Sequence, residues 1–341
     1  MANTESLFPI LQSPHLGPLA RTAAEAPLDS TGCLTEYRPL KSRSILNKTT
    51  TKRGMPFTHA INPYRGCEFG CRYCYARYTH EFMELTPEDF ERRIYFKQNA
   101  AWLLEQELRR LKPGTEIALG TATDPYQPLE RKLGITRSLL AVFAQHSGLR
   151  LGIVTKSSLI ARDADLLNEV GKRNHLTLVL TVTTMNAKLA RVLEPRAPRP
   201  DLRIKTVAQL RRAGLRAGVM CSPLMPGITD SPGSIRAVAR AAAAAGASFF
   251  AAGALFLKPC SLPTFFAFVR EHFPAQLAAY EGRYATSAFV SVAYRQRLTE
   301  LVNSICREFK LGKRYTFEDA GRQMDPENGA VVELQPWLPF A

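Results

Sequence analysis

The chain lacks any uncharged apolar run of about 18 residues, the length a membrane-spanning helix needs. The longest candidate, AVARAAAAAGASFFAAGALF from Ala237, is broken by Arg240 and Gly246. It reads as an alanine-rich helix followed by a buried strand, so no membrane partner is expected. The opening segment, MANTESLFPILQSP, has neither the basic start nor the apolar centre of a signal peptide. The expected location is therefore the cytoplasm. Cysteine is scarce: there are seven, an odd number, and Cys33, Cys221, Cys260 and Cys306 are scattered singly. That excludes a disulfide framework and suits a compartment that keeps thiols reduced. Acidic residues are outnumbered, with 30 Asp and Glu against 45 Lys and Arg and a net charge of +15. Such a balance favours polyanionic partners, DNA or RNA among them. An arginine-preferring composition, visible in RRAGLRAG and EPRAPRPDLR, would give the same figure without one.

Residues 1–55 are rich in Pro, Ser, Thr and Arg and show little periodicity. They read as a basic, partly extended N-terminal arm. From Phe57 a repeating pattern begins, in which a short apolar run is followed by a turn and an amphipathic helix. FTHAI, TEIALGTAT, RLGIVTKS, LTLVLTVTT, LRAGVMCSP and SFFAAGALFL are the strands of six such units, with IYF near residue 94 as a further short extended piece. Alternation of this kind predicts parallel strands joined by right-handed crossovers. Six units are too few for an eight-unit closed barrel. The expected fold is α/β: a partial (β/α)6 barrel of the TIM type over residues 56–310, with the arm before it, helices at its C-terminal end, and a tail over 311–341. A flat doubly wound sheet is the runner-up. In either, ligands sit at the C-terminal ends of the strands. The segments placed there are polar: the loop after FTHAI, GTATDPYQPLE, TKSS, TVTT and CSPLMPGITD.

The first of those loops contains CEFGCRYC, which brings Cys67, Cys71 and Cys74 into eight residues. A structural zinc needs four closed ligands, and the stretch has three. Cys33, His59 or His80 would have to supply the fourth. A redox CxxC at Cys71 and Cys74 lacks a thioredoxin-like setting. A [4Fe–4S] cluster held by three thiolates leaves one iron open. A chelating amino acid can bind such an iron through its amine and carboxylate.

CEFGCRYC has the CxxxCxxC pattern, with aromatic Tyr73 before the last cysteine, and so resembles the radical S-adenosylmethionine (SAM) superfamily. INPYRGCEFGCRYCYARYTHEF, GTATDPYQPLERKLGITR, IVTKSSLIARDADLL, TVTTMNAKLARVLEPRAP and GVMCSPLMPGITD narrow it. They are similar to the subgroup related to spore photoproduct lyase, described as DNA repair photolyase-like, over about residues 40–310. The resemblance implies a [4Fe–4S] cluster, SAM, and an electron donor such as flavodoxin or ferredoxin. It implies that Cys67, Cys71 and Cys74 ligate three irons and that Tyr73 lies near the adenine of SAM. Gly120, Thr121, Thr123 and Asp124 would face the methionine amine. Lys156 and Thr183 would lie near the carboxylate and ribose, and Ser222 would line the pocket. Ordinary turn chemistry at strand ends is the plainer reading of Thr123, Thr183 and Ser222.

The implied activity is reductive cleavage of SAM to a 5′-deoxyadenosyl radical that takes hydrogen from a substrate, in a lyase-like reaction. Where spore photoproduct lyases carry a cysteine hydrogen donor after the second strand, Thr121 stands here. A threonine hydroxyl is a poor hydrogen-atom donor. Cys221 and Cys260 lie at or after later strands, where small buried thiols are also common packing. Tyr75 and Tyr126 are in reach of a relay role but more often pack. Three substrate readings stay open: a nucleic acid, a peptide, protein or small molecule, or no reaction at all in a metal-stapled nucleic-acid-binding protein.

Overall fold

The computed structural model describes residues 17–32, 34–49 and 57–312. Cys33, most of the basic stretch TTTKRG and all but the start of the 311–341 tail lie outside the described residues. Among the described residues no helix is long and apolar enough to cross a membrane.

Eleven strands follow in chain order: β1 (Ser30–Thr31), β2 (Glu36–Pro39), β3 (Leu46–Lys48), β4 (His59–Ile61), β5 (Tyr64–Arg65), β6 (Arg93–Phe96), β7 (Glu116–Leu119), β8 (Arg150–Thr155), β9 (His175–Thr181), β10 (Ala217–Leu224) and β11 (Phe250–Ala254). Seven form one sheet in the order β11-β10-β9-β8-β7-β4-β3. The pairs from β4 through β11 are parallel, and β3 is added antiparallel at the edge. These six parallel strands are the six apolar runs of the sequence. Their spatial order follows the chain order without reversal. A doubly wound sheet needs a reversal point, so the sheet is an open, partial barrel.

Burial explains the composition of the strands. Leu176, Leu178, Val179 and Leu180 of β9 are all buried, as expected where both faces are covered. Helices at Ala100–Leu108, Ile135–Phe143, Ala164–Arg173, Pro200–Arg212 and Pro232–Ala244 pack on the sheet in the crossover positions. Ser231 caps the fifth of them by accepting from Ser234 N at 3.2 Å, with Pro232 next to it. The helix Val292–Glu308 covers β11, where a further unit would otherwise begin.

The described part of the arm is built into the fold. β1, β2, β6 and β5 form a second sheet of four strands, in that order, with β2 parallel to β6. The helix Pro18–Glu25 closes a small apolar cluster of Ala23, Ala26, Leu40, Met83 and Tyr95 over that sheet. The carboxylate of Glu107 accepts from Leu46 N at 2.7 Å and Ile45 N at 3.1 Å, fixing the arm beside the main sheet. Strands of two to four residues are too short to show a period. That is why the arm reads as featureless in sequence.

Candidate functional site

The chain leaves β5 through Gly66, whose φ is +81°. A Cβ there would lie 2.7 Å from the carbonyl oxygen of Phe90 and 2.9 Å from that of Arg93. Only glycine fits this turn. Cys67 N then bonds to Phe90 O at 3.0 Å, and the loop closes on itself through Gly70 N to Cys67 O and Cys74 N to Cys71 O. It ends in a turn at Tyr75–Arg77 and a short helix at Tyr78–Glu81. Cys67 and Cys71 are buried and Cys74 is half-buried.

Burial raises all three thiols. Cys67 is pushed well above the ordinary range by burial, with Asp124, Cys71 and Cys74 adding to it. Cys71 is pushed up to about 12 by burial, against the pull of Lys156. Burial raises Cys74 as well, opposed by Arg77. The three therefore sense one another, and each would have to exchange its proton for a metal. Among the described residues no group of three or more His, Cys, Asp or Glu side chains is arranged to hold a metal ion. Three soft sulfur donors in one loop match a cluster that takes one thiolate per iron.

Three segments brace this loop. The first is Leu193–Arg196. Arg72 N donates to Leu193 O at 2.9 Å, Arg196 N to Phe69 O at 3.4 Å, and the Tyr73 hydroxyl donates to the Glu194 carboxylate. Glu194 also accepts from Thr183 Oγ1 at 2.8 Å and pairs with Arg203 at 2.5 Å, both partners being about 1% exposed. Burial alone would raise Glu194, but Arg203 and then Lys156 outweigh it and hold the carboxyl below its usual range. Arg203 is itself anchored on Thr181 O at 3.0 Å and Pro198 O at 2.7 Å. In the second segment, Arg77 pairs with Glu91 at 2.5 Å and reaches Cys71 O at 3.4 Å. The third is at the far edge, where Ser261 Oγ donates to Cys74 O at 2.8 Å.

The strand ends meet the loop from below. Gly120, with φ +91°, has no room for a Cβ: Pro125 Cδ and Val154 O would each be 2.6 Å away. The Thr121 side chain bonds with Asn62, and its carbonyl accepts from the Tyr75 hydroxyl. Thr123 Oγ1 donates to Gly66 O at 2.6 Å, tying the end of β7 to the start of the cysteine loop. Asp124 accepts from Thr155 Oγ1, Tyr126 N and Lys156 N at 2.6, 2.9 and 2.8 Å. Burial raises its carboxyl despite these donors. Lys156 places its ammonium 5.7 Å from the centre of the Tyr73 ring. Burial would lower it, but Cys71 and then Glu194 raise it on balance. Thr183 Oγ1 also reaches Ser222 O at 3.2 Å. These contacts bring Tyr73, Thr183 and Lys156 together, tie Thr123 to the start of the cysteine loop and tie Asp124 to the end of β8.

The single cysteines separate. Cys221 is fully buried, pushed up to about 12, and packs in the main core. Cys306 is core as well. Cys260 stands beside the loop, with Sγ 4.0 Å from Tyr75 O. Sequence reasoning missed Glu194, Arg203, Asn62 and Gln127. Gln127 accepts from Glu68 N at 3.0 Å inside the loop.

An open barrel with a three-cysteine loop above the first parallel strand defines a class of protein that holds a reactive cofactor at the strand ends. The model of the Radical SAM superfamily matches residues 61–236. The chain is 32% identical over 305 residues to "Uncharacterized protein Rv2578c" of Mycobacterium tuberculosis (strain ATCC 25618 / H37Rv), covering 89% of this chain and 88% of that protein. It is 28% identical over 195 residues to "Uncharacterized protein MJ0683" of Methanocaldococcus jannaschii, covering 57% of this chain and 70% of that protein. Among solved structures, a variant of spore photoproduct lyase superposes with a TM-score of 0.62 at 14% identity, over 88% of this chain and 85% of that one. Another variant, with bound AdoMet and dinucleoside spore photoproduct, gives 0.57 at 13% identity, over 79% and 78%. The chain belongs to the radical SAM superfamily, whose cofactors are a [4Fe–4S] cluster and SAM.

Proposed function

We propose that the chain is a radical SAM enzyme acting on nucleic acid, with Cys67, Cys71 and Cys74 as the cluster ligands. The observation that carries this reading is the loop itself. Three thiols, two buried and one half-buried, are held by braces from three different segments, directly over the strand ends. When bound, the cluster supplies the electron that opens the C5′–S bond of SAM.

The chain's own residues do the positioning. The ammonium of Lys156 is the cation suited to the methionine carboxylate. Gly120 and the backbone of residues 121–123 form the floor toward the methionine amine, a close approach that a side chain at 120 would block. Thr183 and Ser222 line the ribose side, and Tyr73 supports the adenine end through its ring. Asp124 accepts from three donors and acts as the brace that sets Lys156. Thr121 holds Asn62 and offers no thiol, so the hydrogen that ends the reaction comes from elsewhere. The similarity to spore photoproduct lyases and the basic net charge support nucleic acid as the substrate class and a lyase-type outcome.

Anaerobic reconstitution with iron and sulfide tests the ligand assignment. About four irons per chain are expected, with matching acid-labile sulfide. Cys71→Ala is expected to lose most of both. One zinc per chain and no sulfide would replace the enzyme reading with a metal-stapled binding protein. Lys156→Met is expected to weaken SAM binding about tenfold or more, read by equilibrium dialysis, while keeping its iron.

A further inference from the structure

β5 and β6 pair antiparallel, with Tyr64 opposite Phe96 and Arg65 opposite Tyr95. Tyr64 and Phe96 point into the main core, so Arg65, Tyr95 and Lys97 share the opposite face. Arg65 and Lys97 are diagonal neighbours there, about 7–8 Å apart at the backbone, a spacing that one oxyanion bridges between two cationic heads. Lys97 is only 4% exposed. Among the described residues neither side chain makes a hydrogen bond or an ion pair, and Arg65 Nε is buried without a partner. Glu107, whose charge reaches Lys97, is committed to the backbone of Ile45 and Leu46. Burial and then Arg65 push the Lys97 ammonium down to about 7.

Lys97 is buried and Arg65 half-buried, and two like charges side by side without a partner call for an anion from outside. The neighbours say which kind. Arg65 senses Tyr78, on the helix that leaves the cysteine loop. Lys258 Nζ sits 3.8 Å from the centre of the Tyr78 ring, and Phe82 meets that ring edge-on at 5.7 Å while remaining 56% exposed. Glu81 is the carboxylate that Lys258 senses, and the two form no ion pair. Cations beside one exposed ring, Phe82, and one half-buried ring, Tyr78, suit a strand whose phosphates and unstacked bases are both on offer. Lys258 also lies three residues before Ser261, whose hydroxyl holds the Cys74 carbonyl. A strand bound here runs past the cysteine loop.

We propose that Arg65, Lys97 and Lys258 around Tyr78, with Phe82 as a stacking surface, bind the backbone of single-stranded nucleic acid. The inference rests on the nucleic-acid reading above and gives it a place.

The test is fluorescence anisotropy on reconstituted full-length protein. The probes are a labelled oligothymidylate, a labelled duplex of the same length and a labelled oligoglutamate. The single strand is expected to bind more tightly than either competitor. Lys258→Gln and Phe82→Ala are expected to weaken it about fivefold or more, and Lys97→Met about tenfold. Each lost phosphate contact should reduce the steepness of log Kd against log salt by about 0.7. Iron content serves as the folding control, and Lys97→Met should raise the melting temperature because it removes an unpaired buried charge. Unchanged affinity and salt slope in all three variants would overturn the site. So would equal binding of oligoglutamate, or no single-strand binding by wild type. In a protein that still makes 5′-deoxyadenosine, such a failure leaves the radical reading standing. Intact strand binding without 5′-deoxyadenosine would do the reverse.

Discussion

Replacing Glu194 by alanine is expected to destabilise the protein by about 3–5 kcal/mol and to strip most of its iron. The cost follows from what the carboxylate leaves behind. Arg203 would remain about 1% exposed with no acid partner, and the Tyr73 hydroxyl would lose its carboxylate acceptor and Thr183 one of its two acceptors. Removing one member of a buried pair costs far more than the pair contributes net, because the other charge stays out of water. The same deletion at the surface is nearly silent. Asp201, paired at 3.0 Å with Arg199 where the side chains are 39% and 61% exposed, should change stability by less than about 1 kcal/mol as alanine. Urea denaturation of both variants makes the comparison. Glu194→Gln should fall between them, since an amide keeps an acceptor for Tyr73 and Thr183 but not the charge for Arg203. Iron loss in Glu194→Ala follows because Leu193–Arg196 holds the loop at Phe69, Arg72 and Tyr73.

Gly66→Ala is expected to be the most damaging single methyl in the loop. Two costs add. A residue with a Cβ pays about 1–2 kcal/mol for the left-handed backbone. The new carbon must also displace the carbonyls of Phe90 and Arg93, which are backbone and cannot swing away. Gly134 separates the two terms. Its φ is +63°, yet nothing lies within 4 Å of a Cβ built there. Gly134→Ala should therefore show the conformational cost alone, about 1 kcal/mol. Gly66→Ala should lose several times that, with reconstituted iron falling in proportion. Equal stabilities for the two variants would show that the loop yields at Gly66.

The six apolar runs were readable because burial on both faces leaves strands with little polar content. The cysteine loop was readable because three thiols in eight residues are a local signal. Its braces were not. Tyr73 and Glu194 are separated by 121 positions, and nothing near either announces the other. Arg203 lies in an arginine-rich helix whose inward face is otherwise built from residues such as Val207 and Leu210, and only the fold shows that this arginine turns inward with them. Tyr73 was expected against the adenine of SAM. The structure commits its hydroxyl to Glu194 and sets its ring near Lys156, which leaves the ring and not the hydroxyl for a ligand. The strands of the arm escaped for a different reason. The partner of β2, β6, comes about 55 residues later in the sequence, so register carries the information and composition does not.

The most direct test of the central claim is the quantity of 5′-deoxyadenosine formed by the reconstituted, reduced protein given SAM and single-stranded DNA or RNA. Intact protein should form it, and Cys71→Ala under the same conditions should form none above background. A fully loaded cluster that yields no 5′-deoxyadenosine with SAM and any nucleic acid offered, or equal yields from the variant, would contradict the account.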